Sequence, residues 1–429
     1  MGTVRPRPSV AAACTVLLAC LPASGRGDLS TGVHVTAADL ASVLLIAVAA
    51  LVLLRSRPAA SLPVRALVLA PVAGMVSLAA LASPDLLGGL PGYARYVQVF
   101  VLVPLAVLVT VRNRADVLIV GGALVGAAAV EGLVGCLQAF TGTGASYAGE
   151  RVRAVGTFGA PDVMGMASVV SYGAIILLAV GLRLRGRRRA AALAGAALLC
   201  VPLVLSLSRG TWLALLCAVL VMLFLYRRAL AARLLLAGAV ATTVLAFGPG
   251  TGWDLLDHRL ASIGSAVSQP DRSVNDRYSL WLTATGMWMD HPLTGAGPRG
   301  FARLRDMYAP IELSSGSDTD DPAHGFQRRP LLSPHNMYLL TLSEQGLLGL
   351  SALLLFLGAL ARWAVRGAAL AAAGLLTWHL VAFCYGDIGG PSTVVMSVVL
   401  GLVLSLVARP AAVGPSGGIP VPAGGGVAP

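Results

Sequence analysis

The sequence predicts an all-α, polytopic membrane protein of about 12 transmembrane helices with one long extracytoplasmic loop. Hydrophobic residues make up 57% of the 429 and charged residues only 12%. Mean hydropathy is +0.81, and apolar windows of near-bilayer length recur along most of the chain. There is no lysine, so the net charge of +12 comes from arginine alone. Together with abundant Ala, Gly and Val, this reads as the imprint of a GC-rich bacterial genome.

The windows fall at roughly 9–23, 38–54, 64–82, 96–111, 117–140, 163–182, 190–207, 211–226, 234–249, 336–361, 367–384 and 393–408. An even number of spans returns both termini to one side. The short loops on that side hold Arg5, Arg7, Arg55, Arg57, Arg65, Arg112, Arg114, Arg183, Arg185, Arg187, Arg188, Arg189, Arg227, Arg228, Arg233, Arg362, Arg366 and Arg409. These 18 arginines face one acid, Asp116. The positive-inside rule therefore puts both termini in the cytoplasm, the chain in the cytoplasmic (plasma) membrane and the long loop outside. The same distribution accounts for the sequence pI near 10.1 without nucleic acid as a partner.

Four regions follow: transmembrane helices 1–9 over residues 1–250, the large loop over 251–335, helices 10–12 over 336–408, and a disordered cytoplasmic tail over 409–429. Residues 5–23 also read as a signal segment, with an imperfect lipobox ending at Cys20. The tail is Gly, Pro, Ala and Val, a composition that buries too little to fold. Cys14, Cys20, Cys136, Cys200 and Cys217 lie in apolar windows and Cys384 at a helix end; without metal or disulfide spacing they read as small core residues.

The polar chemistry gathers in the loop from Thr251 to His335, which carries ten of the 19 acids and four of the six histidines. Its exit, Ser333-Pro334-His335-Asn336, reads as a helix start, with Ser as N-cap and Pro at the first helical position. His335 then falls in the first turn, where the helix dipole keeps imidazole neutral and fit to act as a general base. The free N–H groups of that turn attract anions. Glu344 lies nine residues on, turned away from His335, and reads as a structural partner; Glu131 in the fifth span is similar.

Arg209 occupies the short external turn before the eighth span, either snorkelling to headgroups or gripping an anion. Arg151 and Arg153 flank VGTFGAPD, a Gly/Pro turn ending in Asp162 at a helix start. In the loop, residues 276–291 read as a helix with Trp281, Ala284 and Trp288 on a stripe suited to the bilayer interface. Arg277, one turn before Trp281, reaches lipid phosphate or a pyrophosphate; Arg299 sits in the following Gly/Pro turn. Asp318, Asp320 and Asp321 form a formal DxD, read as a solvated loop in its Ser/Gly-rich setting, and no metal site is assigned.

Four segments carry a family resemblance: VGTFGAPDVMG, SLSRGTWLAL, DRYSLWLTATGMWMDHPLTGAGPRGF and SPHNMYLLTLSEQGLLGL. In these segments, their order and the position of the long loop, residues 40–408 resemble the O-antigen ligase/O-antigen polymerase family of bacterial membrane glycosyltransferases. Asp162 stands where the family pattern has Asn. The resemblance implies a metal-independent, inverting transfer on the external face, from a glycan on an undecaprenyl pyrophosphate-type carrier, with no cofactor. His335 resembles the family's essential loop histidine, and Arg209 and Arg277 its essential arginines. Arg153, Arg299, Asn336 and Asp162 are further candidates. The expected partners are the lipid-linked oligosaccharide donor, a glycan, lipid or protein acceptor, and membrane lipids. A transporter of polysaccharide precursors, with Glu131, Glu344 and His379 as relay groups, and a non-catalytic scaffold are the competing readings.

Overall fold

The computed structural model describes residues 7–22, 36–55, 62–147, 152–233, 235–236, 272–322 and 325–409. Its helices in chain order begin with α1 (Ser9–Ala19), α2 (Ala37–Arg55), α3 (Leu69–Ala82), α4 (Leu86–Val97), α5 (Val103–Thr110) and α6 (Arg114–Thr141). Then come α7 (Gly165–Arg183), α8 (Gly186–Leu198), α9 (Cys200–Leu205), α10 (Arg209–Tyr226), α11 (Arg272–Asp290) and α12 (Gly300–Tyr308). The last three are α13 (Met337–Arg366), α14 (Leu370–Ala382) and α15 (Ser392–Ala408). Among the described residues 8 helices are long and apolar enough to cross a membrane, with α1, α14 and α15 as shorter apolar helices. The chain is a multi-pass, mainly α-helical membrane protein. The apolar window at 234–249, most of the tail and the first part of the large loop lie outside the described residues.

Local chemistry sets the helix ends. Asn113 and Asp116 form a capping box at the start of α6, and Gly142 closes that helix in the left-handed conformation. Between α4 and α5 the chain widens into a π-turn over Gln98–Leu102. Pro104 has no N–H to offer the carbonyl four residues back, and the turn before it opens accordingly. α13 is broken at Gly346 (φ 64°), so its first ten residues run in their own direction at the face that carries the large loop.

α7 forms the centre of the bundle: 78% of its span is buried, against 28% for α2 at the rim. Its neighbours include α6, α10 and α14, and α15 closes on α5 and on α1. α7, α10, α13 and α15 all begin at the face of the large loop and end at the opposite one. That opposite face holds the arginines predicted for short loops. Arg183 donates to the Ala368 carbonyl (3.0 Å), Arg409 to those of Leu108 (2.8 Å) and Val111, and Arg65 to that of Val407. Arg7 pairs with Asp116 at 3.5 Å.

A three-stranded antiparallel sheet was not anticipated. It joins β1 (Ser146–Tyr147), from the loop before α7, to a hairpin of β2 (Ser317–Asp321) and β3 (Gly325–Arg329). The DxD therefore lies in a strand, not a solvated loop, and Asp318 pairs with Arg328 at 3.6 Å. The cysteines also depart from expectation. Cys20 is buried, but Cys14, Cys200 and Cys384 are exposed, because helices at the rim of a bundle turn small residues to lipid as readily as to each other.

Candidate functional site

His335 is not in the first turn of a helix. α13 begins at Met337, and its N-cap is Asn336, whose side-chain oxygen accepts from the N–H groups of Tyr338 (3.0 Å) and Leu339 (3.1 Å). Asn satisfies two orphan donors there, which Ser333 three residues earlier cannot reach. Ser333 instead accepts from the His335 N–H at 3.1 Å, a local turn. His335 adopts a left-handed backbone (φ 48°), uncommon for a residue with a side chain and found where surrounding structure enforces it. Two sequence inferences lose their basis. The ring is not inside the helix end, so the dipole argument for a neutral imidazole does not apply. The N–H of Met337 is also taken, by the carbonyls of Phe383 (2.8 Å) and Gly386 (3.0 Å), so this terminus is not an open anion cradle.

Those carbonyls belong to the connection between α14 and α15, residues 383–391, which joins every part of the site. The Asn336 amide donates to the Cys384 carbonyl at 2.9 Å. The Tyr385 hydroxyl donates to the carbonyl of Gly210, next to Arg209. The Tyr385 ring lies flat against Gly210, where any Cβ would collide with it, so glycine is required after Arg209. Asp387, from the same connection, faces His335 and Arg277. Burial pushes its carboxyl above the usual range, against the opposing pull of the His335 ring, the His335 N–H and the Arg277 charge. One Asp387 oxygen is buried without a hydrogen-bond partner among the described residues.

Arg277 lies on the part of α11 nearest this group. Burial and the like charge of Arg153 push its guanidinium below the ordinary arginine value, while Tyr385 and Asp387 pull it back up. Arg153 is held there by its backbone, which exchanges hydrogen bonds with Ala145 at 2.8 and 3.0 Å. α11 is anchored one turn later: the Trp281 indole N–H donates to the Pro334 carbonyl at 3.0 Å. The stripe predicted to meet the bilayer therefore turns inward. Ala284 is fully buried, while Tyr278, Leu282 and Met289 form an exposed apolar strip on a neighbouring side of α11.

The structure thus brings His335, Asn336, Arg277 and Arg153 together around the 383–391 connection, with Arg209 at its edge through Gly210. Arg299 and Asp162 are employed differently. Arg299 adopts a left-handed backbone (φ 59°) as the N-cap of α12, packed on Gly92 and near Glu344. Asp162 accepts from the Ser392 N–H (2.9 Å) at the start of α15, and the N–H of Gly165 at the start of α7 also stabilises its charge. It ties two helix starts together from a buried position. Arg151 lies outside the described residues.

The relay residues of a transporter do not form a chain. Glu131 holds the backbone N–H (3.0 Å) and hydroxyl of Thr157. Glu344 accepts from the Phe301 N–H at 3.2 Å and so fastens α12, as its structural reading expects. His379 sits between the Tyr172 hydroxyl (3.2 Å) and the Leu375 carbonyl (2.6 Å). Asp387 and Tyr385 escaped the sequence reading. A signal existed: Asp387 is the only acid after Glu344, and the charge-derived topology puts its short loop on the same side as the large one.

Residues 194–354 match the family model described as O-antigen ligase, a stretch that contains Arg209, Arg277 and His335. A comparison with curated proteins gives no match.

Proposed function

We propose, for a chain whose residues 194–354 match the O-antigen ligase family model, a glycan transfer from a polyprenyl pyrophosphate carrier on the outer face of the cytoplasmic membrane. The observation that carries this reading is the Asp387 carboxylate, held by the His335 N–H and acted on by the Arg277 charge, which the charge of Arg153 in turn opposes. Like charges gathered at a partly exposed site favour an anion between them, and a pyrophosphate supplies two phosphoryl groups for planar donors. Arg209, at the start of α10, adds a third positive charge across the Tyr385–Gly210 contact.

In this mechanism the acceptor hydroxyl oxygen attacks the anomeric carbon of the donor. The bond from that carbon to the pyrophosphate oxygen breaks, and its electron pair leaves on the pyrophosphate. The arginines stabilise that developing charge, the part a divalent metal plays elsewhere. The hydroxyl proton passes to the His335 imidazole, and Asp387 stabilises the imidazolium that forms. A single displacement of this kind inverts the anomeric centre.

The test is a glycan gel from a deletion strain complemented with the wild-type chain or with His335→Ala. Loss of the long-chain ladder supports a polymerase. Finished polymer retained on its lipid carrier supports a ligase. Unchanged glycans with stably inserted His335→Ala protein overturn the enzymatic reading.

A further inference from the structure

We propose that Arg95 is a positioning residue for this reaction: by bridging Asp39 to the Gly390 carbonyl it holds Asp387 against His335. The inference rests on the reading of His335 and Asp387 given above. Arg95 lies on α4, far from the pyrophosphate slot in sequence and outside every segment that carries the family likeness. Its guanidinium donates to the Asp39 carboxylate at 2.5 Å with one nitrogen and to the Gly390 carbonyl at 2.8 Å with the other. A planar fork reaches two acceptors at once, which an ammonium on a flexible stem does poorly.

The bridge is itself braced. Asp39 is fixed at the start of α2 by the Thr36 N–H (3.0 Å) and hydroxyl (2.8 Å). Gln98 accepts from Arg95 at 3.1 Å and donates to Asp39 (3.3 Å) and Ser42 (2.7 Å). Gln98 is also the first residue of the π-turn, and such turns are frequently found at functional sites. Three side chains and an irregular turn thus converge on one backbone carbonyl.

That carbonyl lies three residues beyond Asp387. On the other side of Asp387, the Met337 N–H holds the Gly386 carbonyl. Asp387 therefore sits on a short arch with one foot on the His335 segment and the other on Arg95. Gly390 has a left-handed backbone (φ 64°) directly under the Asp162 carboxylate, so the arch has little room to shift while both feet hold. Release of the Arg95 foot lets Asp387 drift while His335 and the arginine slot stay in place. The loss should then appear in turnover and not in donor binding.

The experiment is a double-mutant cycle on purified full-length protein, with labelled lipid-linked glycan extracted from the deletion strain as donor. Arg95→Ala should lower kcat by up to about 100-fold with little change in donor KM, the scale of a misplaced catalytic group. Arg95→Lys, which keeps the pairing with Asp39, should recover part of the loss. In an Asp387→Asn background, Arg95→Ala should cost less than twofold, because the group it positions is already gone. Full additivity of the two substitutions, or a loss confined to KM, overturns the positioning role. Should Arg95→Ala fail to insert, Arg95→Lys carries the same cycle. If His335→Ala and Asp387→Asn are both fully active, the proposed function falls. If both are impaired and the cycle is additive, the positioning role alone falls.

Discussion

The indole of Trp281 donates a hydrogen bond to the carbonyl of Pro334 at 3.0 Å, and so ties the helix that carries Arg277 to the residue just before His335. The proposed anion-binding and proton-handling groups come from segments more than fifty positions apart in the sequence, and this bond ties the two segments together. Trp281→Phe keeps the ring and removes the donor. It should cost about 1 kcal/mol of stability or less, the usual net worth of one hydrogen bond. Activity should fall several-fold, read as the rate of polymer formation at unchanged protein level. An unchanged rate would mean that His335 is placed without help from α11.

Asp387→Asn should separate activity from stability. Burial raises the Asp387 carboxyl pKa above its value in an unfolded chain. The protonated form is thus the one favoured by folding. That contribution is full below the ordinary carboxylate pKa and is lost as pH rises through the raised one, so the charged group costs stability at neutral pH. Asp387→Asn should therefore raise Tm at neutral pH and leave it little changed at low pH, while activity falls to a measurable residue. A fall in Tm at neutral pH would contradict this account.

The pH–rate profile of the wild type follows from the same group. If charged Asp387 supports the His335 imidazolium, activity should fall on the acid side at a pH above the usual carboxylate range. An acid limb at the ordinary carboxylate pKa, near 3.8, would point to a different group.

Arg277→Ala should weaken inhibition by inorganic pyrophosphate, measured on the purified protein, by at least tenfold. Arg277→Lys should restore little, because the compact ammonium loses the bidentate geometry of guanidinium. The wild-type inhibition constant should also rise with ionic strength, as charge pairing at a partly exposed site requires. Inhibition indifferent to both substitutions would place the leaving group elsewhere.

Glu131→Ala tests a structural role. It removes the acceptor for both the N–H and the hydroxyl of Thr157 in the middle of the VGTFGAPD turn. Leaving a buried donor without its partner costs about 1–3 kcal/mol, so Tm should drop by several degrees. Glu131→Gln, which still accepts one bond, should lie between. Wild-type stability for Glu131→Ala would make a functional reading of this acid worth reopening.

Much of the architecture is legible along the chain because hydropathy and charge are local properties. Most apolar windows coincide with described helices, but the span at Leu86–Thr110 starts ten residues before its window at 96–111, and the window at 234–249 lies outside the described residues; the loop helix α11 begins four residues before its expected start at Asp276. Helix starts are less legible. Pro334 and Ser333 imitate a cap well, yet Asn336 wins because its side chain meets two backbone donors at once. The Trp281–Ala284–Trp288 stripe misled for a similar reason. Periodicity identifies a face of a helix but not whether that face meets lipid or protein.

The sequence by itself determined the membrane class, the gathering of arginine in the short loops of one side, and the location of His335 and Arg209 at the ends of apolar segments and of Arg277 in the large loop. Each is a statement about composition over a window of one segment. The tertiary structure decided which of those segments meet. Asp387 faces His335 because the connection between α14 and α15 is hydrogen-bonded to Asn336, Gly210 and Arg95. No periodicity encodes those bonds. They form between backbone carbonyls, which every residue carries, and side chains that only the packed bundle brings within reach.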